Sequence, residues 1–157
     1  MSLLRASLLG GVDGVITSFA IVAGASAGEL ASATLVVIVG TSSVLADGLS
    51  MGISEFLSSA GERALLKDSS ARPLRQGLAC FATFVLCGAV PLLAYLASES
   101  LLSCAMFSLV ALMLLGAGRA LASGEPLLLG LSQTAALGAA AGGVAYAAGR
   151  VAANAVG

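Results

Sequence analysis

The chain has no histidine and no tryptophan, and only 4% of its residues are aromatic. Charged residues are also scarce, at 10% against roughly 25% in an average soluble domain. Each shortage excludes something. Without histidine, and with Cys80, Cys87 and Cys104 at no metal-ligand spacing, a zinc site built from nitrogen and sulfur is not expected. With seven basic and eight acidic residues, a net charge of -1 offers nothing for a nucleic acid to recognise. The three cysteines sit in apolar segments and read as small buried hydrophobes.

What remains is 59% hydrophobic, with a mean hydropathy of +1.06 and 20 glycines in 157 residues. This is the composition of a bilayer protein whose helices meet through small side chains. GxxxG steps at Gly10 and Gly14, Gly24 and Gly28, Gly48 and Gly52, and Gly138 and Gly142 support a tightly packed bundle and an oligomer.

Hydropathy predicts an all-α polytopic membrane protein with five spans near residues 8–27, 31–60, 77–97, 100–121 and 127–151, each close to the roughly 20 residues a hydrocarbon core requires. The apolar run after Arg5 is not read as a signal peptide, because it continues past Asp13 for a full span. The second span exceeds the bilayer, so it should tilt or project. Residues 61–76 form a short polar linker, in which Pro73 should break any helix before the third span. With the N-terminus in the cytoplasm, Arg5, Arg63, Lys67, Arg72, Arg75 and Arg119 all fall on the cytoplasmic side. Arg150, the C-terminus, Glu29 and Glu99 fall on the other.

The feature that resists this apolar background is Asp47, Met51 and Glu55, spaced four apart in the second span. At 100° per residue they drift only about 40° per step and form a polar seam on one helix face. Ser54, Ser58 and Glu62 lie in or beside it, with Ser43 and Ser50 as further hydroxyls along the path. Asp13 is the acid of the first span. A charge at mid-bilayer costs on the order of 3 kcal/mol, so such residues mark an ion or proton path by default, and no intramembrane lysine or arginine is available nearby to neutralise them. The alternative is that they stay protonated and bond between helices. With interfaces near Ala6 and Ala60, Asp13 and Met51 come to similar depths, about 10–14 Å, and can face each other. Carboxylates, hydroxyls and a thioether together suit ferrous iron, manganese or cobalt. Protons compete for the same oxygens, which makes metal–proton exchange the expected mechanism.

The stretches Gly11-Val12-Asp13-Gly14-Val15-Ile16-Thr17-Ser18-Phe19-Ala20-Ile21-Val22-Ala23-Gly24 and Ala46-Asp47-Gly48-Leu49-Ser50-Met51-Gly52-Ile53-Ser54-Glu55-Phe56-Leu57-Ser58 resemble the vacuolar iron transporter family. The resemblance covers the first two spans closely and the others only in length, topology and small-residue content. It implies a five-helix homodimer with its pathway between subunits, moving ferrous iron or manganese out of the cytoplasm against protons across an inner or vacuole-like membrane. Asp13 and Met51 correspond to pathway residues, with Asp47, Ser54 and Glu55 beside them. The helical cytoplasmic metal-binding domain of full-length members is reduced here to residues 61–76. Plant members have a carboxylate at the position of Ser43 and no acids at those of Asp47 and Glu55. The competing class is a metal-gated channel or a metal sensor without coupled transport. An enzyme is not expected, since neither Val12-Asp13-Gly14 nor Ala46-Asp47-Gly48 carries the GxGD pattern of intramembrane aspartyl proteases.

Overall fold

The computed structural model describes residues 2–28, 32–66 and 72–156. They form five helices: α1 (Ser2–Gly28), α2 (Ala33–Leu66), α3 (Pro73–Ser98), α4 (Leu101–Ser123) and α5 (Leu127–Val156). All five are long and apolar enough to cross a membrane. The helices outrun the apolar windows at their ends, because helical hydrogen bonding continues into interfacial turns that hydropathy does not register. The linker at 61–76 is consequently helical through Leu66 and again from Pro73. Pro73 occupies the first turn of α3, where its missing N–H costs nothing. Glu29, Lys67 and Asp68 lie outside the described residues.

Contacts at the glycines give the topology. A methyl group at Gly10 would collide with the carbonyl of Cys80, one at Gly14 with that of Phe84, and one at Gly88 would crowd Ser18, so α1 and α3 run parallel. Gly40 abuts Leu92 while Gly52 abuts Gly77, which makes α2 antiparallel to α3. Gly116 meets Gly130, Gly138 meets Leu112, and Gly24 meets Gly149, placing α5 antiparallel to α4 and parallel to α1. The result is an up-and-down bundle in which every GxxxG step foreseen from sequence has at least one glycine against a neighbouring helix. With lipid outside, van der Waals contact at this range, not hydrophobic burial, holds such helices together.

Alternation of the helices brings Arg5, Arg63, Arg72, Arg75 and Arg119 to one end, called here the arginine end, and Glu99 and Arg150 to the other. At the arginine end the α4–α5 turn is closed by Gly124 in the left-handed region (φ 72°) and by Arg119, which donates to Glu125 (3.1 Å) and to Gln133.

α2 packs mainly on one neighbour. It lies along α3, meets α1 only lightly, and has no contact with α4 or α5. Its buried stripe is Val36, Gly40, Val44, Gly48, Gly52, Glu55 and Ser59, flanked by half-buried residues such as Val37, Ser43 and Met51, and most of the rest of its surface is open.

Candidate functional site

α1 and α2 both rest on α3 and meet each other only lightly; the region between them, over α3, is called here the cleft. Gly14 abuts the backbone of Phe84 and Gly48 abuts its ring. That shared contact sets the register. Asp13 and Asp47, each one residue before these glycines, therefore stand at one level on facing helices. Both side chains are exposed on the chain surface, and their carboxylates are near enough for their charges to repel. The level is deep: Asp13 is about 22 Å from the end of α1 at Gly28, and Asp47 about 21 Å from the start of α2 at Ala33, at 1.5 Å per residue.

The partner in register with Asp13 is thus Asp47, with Met51 one turn nearer the arginine end. Interfaces assumed at Ala6 and Ala60 pair Asp13 with Met51; the contacts of Gly14 and Gly48 with Phe84 set the level one turn further from the arginine end, at Asp47. Met51 is half-buried and packs against the core cluster that contains Val44 and Phe84.

Glu55 is placed differently. It is only 8% exposed and belongs to the face of α2 that packs on α3. Two steps of four residues rotate it about 80° from Asp47, enough to carry it from the cleft wall into the helix interface. It lies within electrostatic reach of Cys80, and Cys80 is also within reach of Asp13. Cys80 is a free, fully buried thiol on the cleft floor. Ser59 and Gln76 are likewise buried, so the arginine-end half of the α2–α3 interface includes polar groups beside its apolar ones.

The remaining seam residues face outward. Ser50, Ser54, Ser58 and Glu62 are exposed and Ser43 is half-buried. Among the described residues, no three His, Cys, Asp or Glu side chains converge as a metal site within one chain. A single chain therefore offers two exposed carboxylates, a thioether and a ladder of hydroxyls along an open wall. Such a wall can supply some of an ion's oxygen ligands, with the rest left to water or to a facing surface.

Sequence reasoning passed over Gln76 and read Cys80 as a small buried hydrophobe, which its full burial matches, without placing it near the acids. The signal available was the i, i+4 run Gln76, Cys80, Phe84 and Gly88 on α3, all of them buried, which placed a polar and a thiol group on the inner stripe.

A protein-family model described as the VIT family matches residues 4–72 and 62–150, two pieces that meet in the segment joining α2 to α3. A protein of Toxoplasma gondii named vacuolar iron transporter is 41% identical over 69 residues, covering 44% of this chain and 22% of that protein. A Plasmodium falciparum protein of the same name is 42% identical over 60 residues, covering 38% and 22%. The chain thus spans under a quarter of the length of either relative.

Proposed function

The chain belongs to the VIT family, and on that premise we propose that it exports a divalent metal, ferrous iron or manganese with cobalt as a further candidate, from the cytoplasm in exchange for protons. The observation that carries this reading is the exposed Asp13–Asp47 pair at mid-depth in helices built to span a membrane. Left facing lipid, each carboxylate would cost on the order of 3 kcal/mol. A second copy set against the open α1–α2 cleft removes that cost. A two-fold axis along the cleft doubles the ligand set, giving four carboxylates and two thioethers around one path, and α2 has a long exposed face free to receive a partner. We therefore read the functional unit as a homodimer.

Oxygen donors at this density bind a hard or borderline cation, and the Met51 thioether favours iron or manganese over magnesium or calcium. The same carboxylates take protons when the metal leaves, so a site open alternately to the two sides exchanges one for the other. The Ser54, Ser58 and Glu62 ladder leads from the site toward the arginine end, which the positive-inside tendency places in the cytoplasm together with the N-terminus. Glu55 and Cys80 lie under the ladder, where a buried carboxylate can pass or hold a proton.

The test is flux into proteoliposomes across a panel of divalent ions, with and without an opposing pH gradient. Uptake of ferrous iron or manganese that rises with the gradient and saturates is expected. Uptake that ignores the gradient rejects the exchange and favours a metal-gated channel, and binding without flux favours a sensor.

A further inference from the structure

On the flank of α2 opposite the cleft, α2 and α3 enclose a groove with a cavity volume of about 320 Å³ at the arginine end of the membrane-spanning region. Its floor is the contact between Gly52 and Gly77, two residues without side chains, and its walls are Leu49, Phe56, Leu78 and Phe81. Leu49 is two residues from Asp47, about 200° around the helix, so a partner seated on the cleft leaves this groove facing lipid. The lining is apolar throughout.

The charge around its lower end is not. Arg75 follows Leu74 in the first turn of α3, Arg72 immediately precedes that helix, and no side chain caps the helix start. Further along α2, Arg63 continues the groove face, since Leu49, Phe56 and Arg63 are seven residues apart and nearly eclipsed. Among the described residues none of these three arginines is held in an ion pair, whereas Arg119 at the same end is paired with Glu125. Glu62, beside Arg63, falls about 100° away on the cleft side. The two flanks of α2 thus differ in sign at the arginine end: acid follows the metal seam, and base follows the apolar groove.

We propose that the α2–α3 groove is a binding site for an anionic phospholipid, with an acyl chain over Gly52 and Gly77 and the phosphate held by Arg72 and Arg75, Arg63 flanking it. An acyl chain is the occupant whose chemistry fits an apolar slot inside the bilayer, and an anionic headgroup is what unpaired arginines at its mouth select. The lipid would brace α2 from behind its metal-facing side.

The chain has no tryptophan, so L78W places a single fluorophore in the groove, and L114W, on the lipid-facing side of α4 (Leu114 is 69% exposed), places a control. Quenching is measured in bilayers of brominated phosphatidylglycerol against brominated phosphatidylcholine. The groove reporter should favour the anionic lipid by about fivefold for each arginine engaged, and the control should show no preference. Adding R72Q and R75Q should abolish the difference. Native mass spectrometry of the unsubstituted chain should show retained phosphatidylglycerol that soluble glycerophosphate does not displace. Equal quenching by the two lipids, a preference that survives loss of both arginines, or displacement by glycerophosphate would each overturn the proposal. The readout is lipid binding, so it stands apart from whether metal export is the function.

Discussion

The α1–α3 interface and the α1–α2 cleft share a helix and are built on opposite terms. Where α1 meets α3, Gly10 and Gly14 let backbone touch backbone, and Val15, Ser18 and Phe84 are fully buried. Where α1 faces α2, the helices barely meet and acids and hydroxyls are left open. Asp13 and Gly14 are adjacent residues, yet one is exposed toward the proposed site and the other is buried in the scaffold. The difference teaches that the carboxylates are positioned by packing in which they take no part: glycine contacts with Phe84 hold both acids level while leaving their side chains free.

The strongest way to break the comparison is to spoil the packed side. Gly14→Leu would drive a side chain into the Phe84 carbonyl, backbone that cannot yield as a flexible side chain does. A stability loss of about 3 kcal/mol or more is expected, at or above the usual range for overpacking, with loss of monodisperse protein in detergent. A melting temperature within a few degrees of the unsubstituted chain would show that α1 and α3 are not this close.

On the open side the balance should reverse. Asp13→Asn and Asp47→Asn touch no packed surface, so their melting temperatures should stay near that of the unsubstituted chain while metal flux falls by about 10–100-fold or more, on the scale of losses at supporting positions of metal sites. If either variant transported normally, the level pair would not be the site. Glu55→Gln tests the border between cleft and interface. Amide replaces acid at similar volume in a buried position, so flux should fall less than for Asp13→Asn, and the pH-gradient dependence of the remaining flux should flatten. Unchanged gradient dependence would remove Glu55 from proton handling.

Much of this contrast can be read from the chain itself, and the rest has a physical reason for being hidden. The five helices follow from apolar runs of bilayer length, and the acids of α1 and α2 are conspicuous because the bilayer makes them expensive. Helix ends were hidden because Glu62 and Arg63 continue α2 beyond its apolar run without breaking a hydrogen bond. The inward turn of Glu55 was half visible: a 40° drift per step is implicit in the spacing, but which side of the drift meets α3 is a tertiary fact. The proximity of Cys80 to both Asp13 and Glu55 was invisible, since it depends on where α3 crosses the other two helices. No local pattern records that.

Met51 belongs to both regions, and the smallest expected effect therefore falls there. One side of it packs against the core cluster that includes Val44 and Phe84, while the other is open to the seam one turn from Asp47. Met51→Leu nearly conserves volume, so stability should change by less than about 1.5 kcal/mol. What the substitution removes is the sulfur, the only soft donor on the seam, so the loss should appear in selectivity. Flux of ferrous iron relative to magnesium should fall a few-fold, while manganese, less dependent on a soft ligand, should change less. A competition assay with all three ions in one preparation reads this directly. An unchanged ratio would assign Met51 to the packed region alone and leave the cleft as an all-oxygen site, whereas a shifted ratio at constant stability would draw the boundary between scaffold and site through the middle of one side chain.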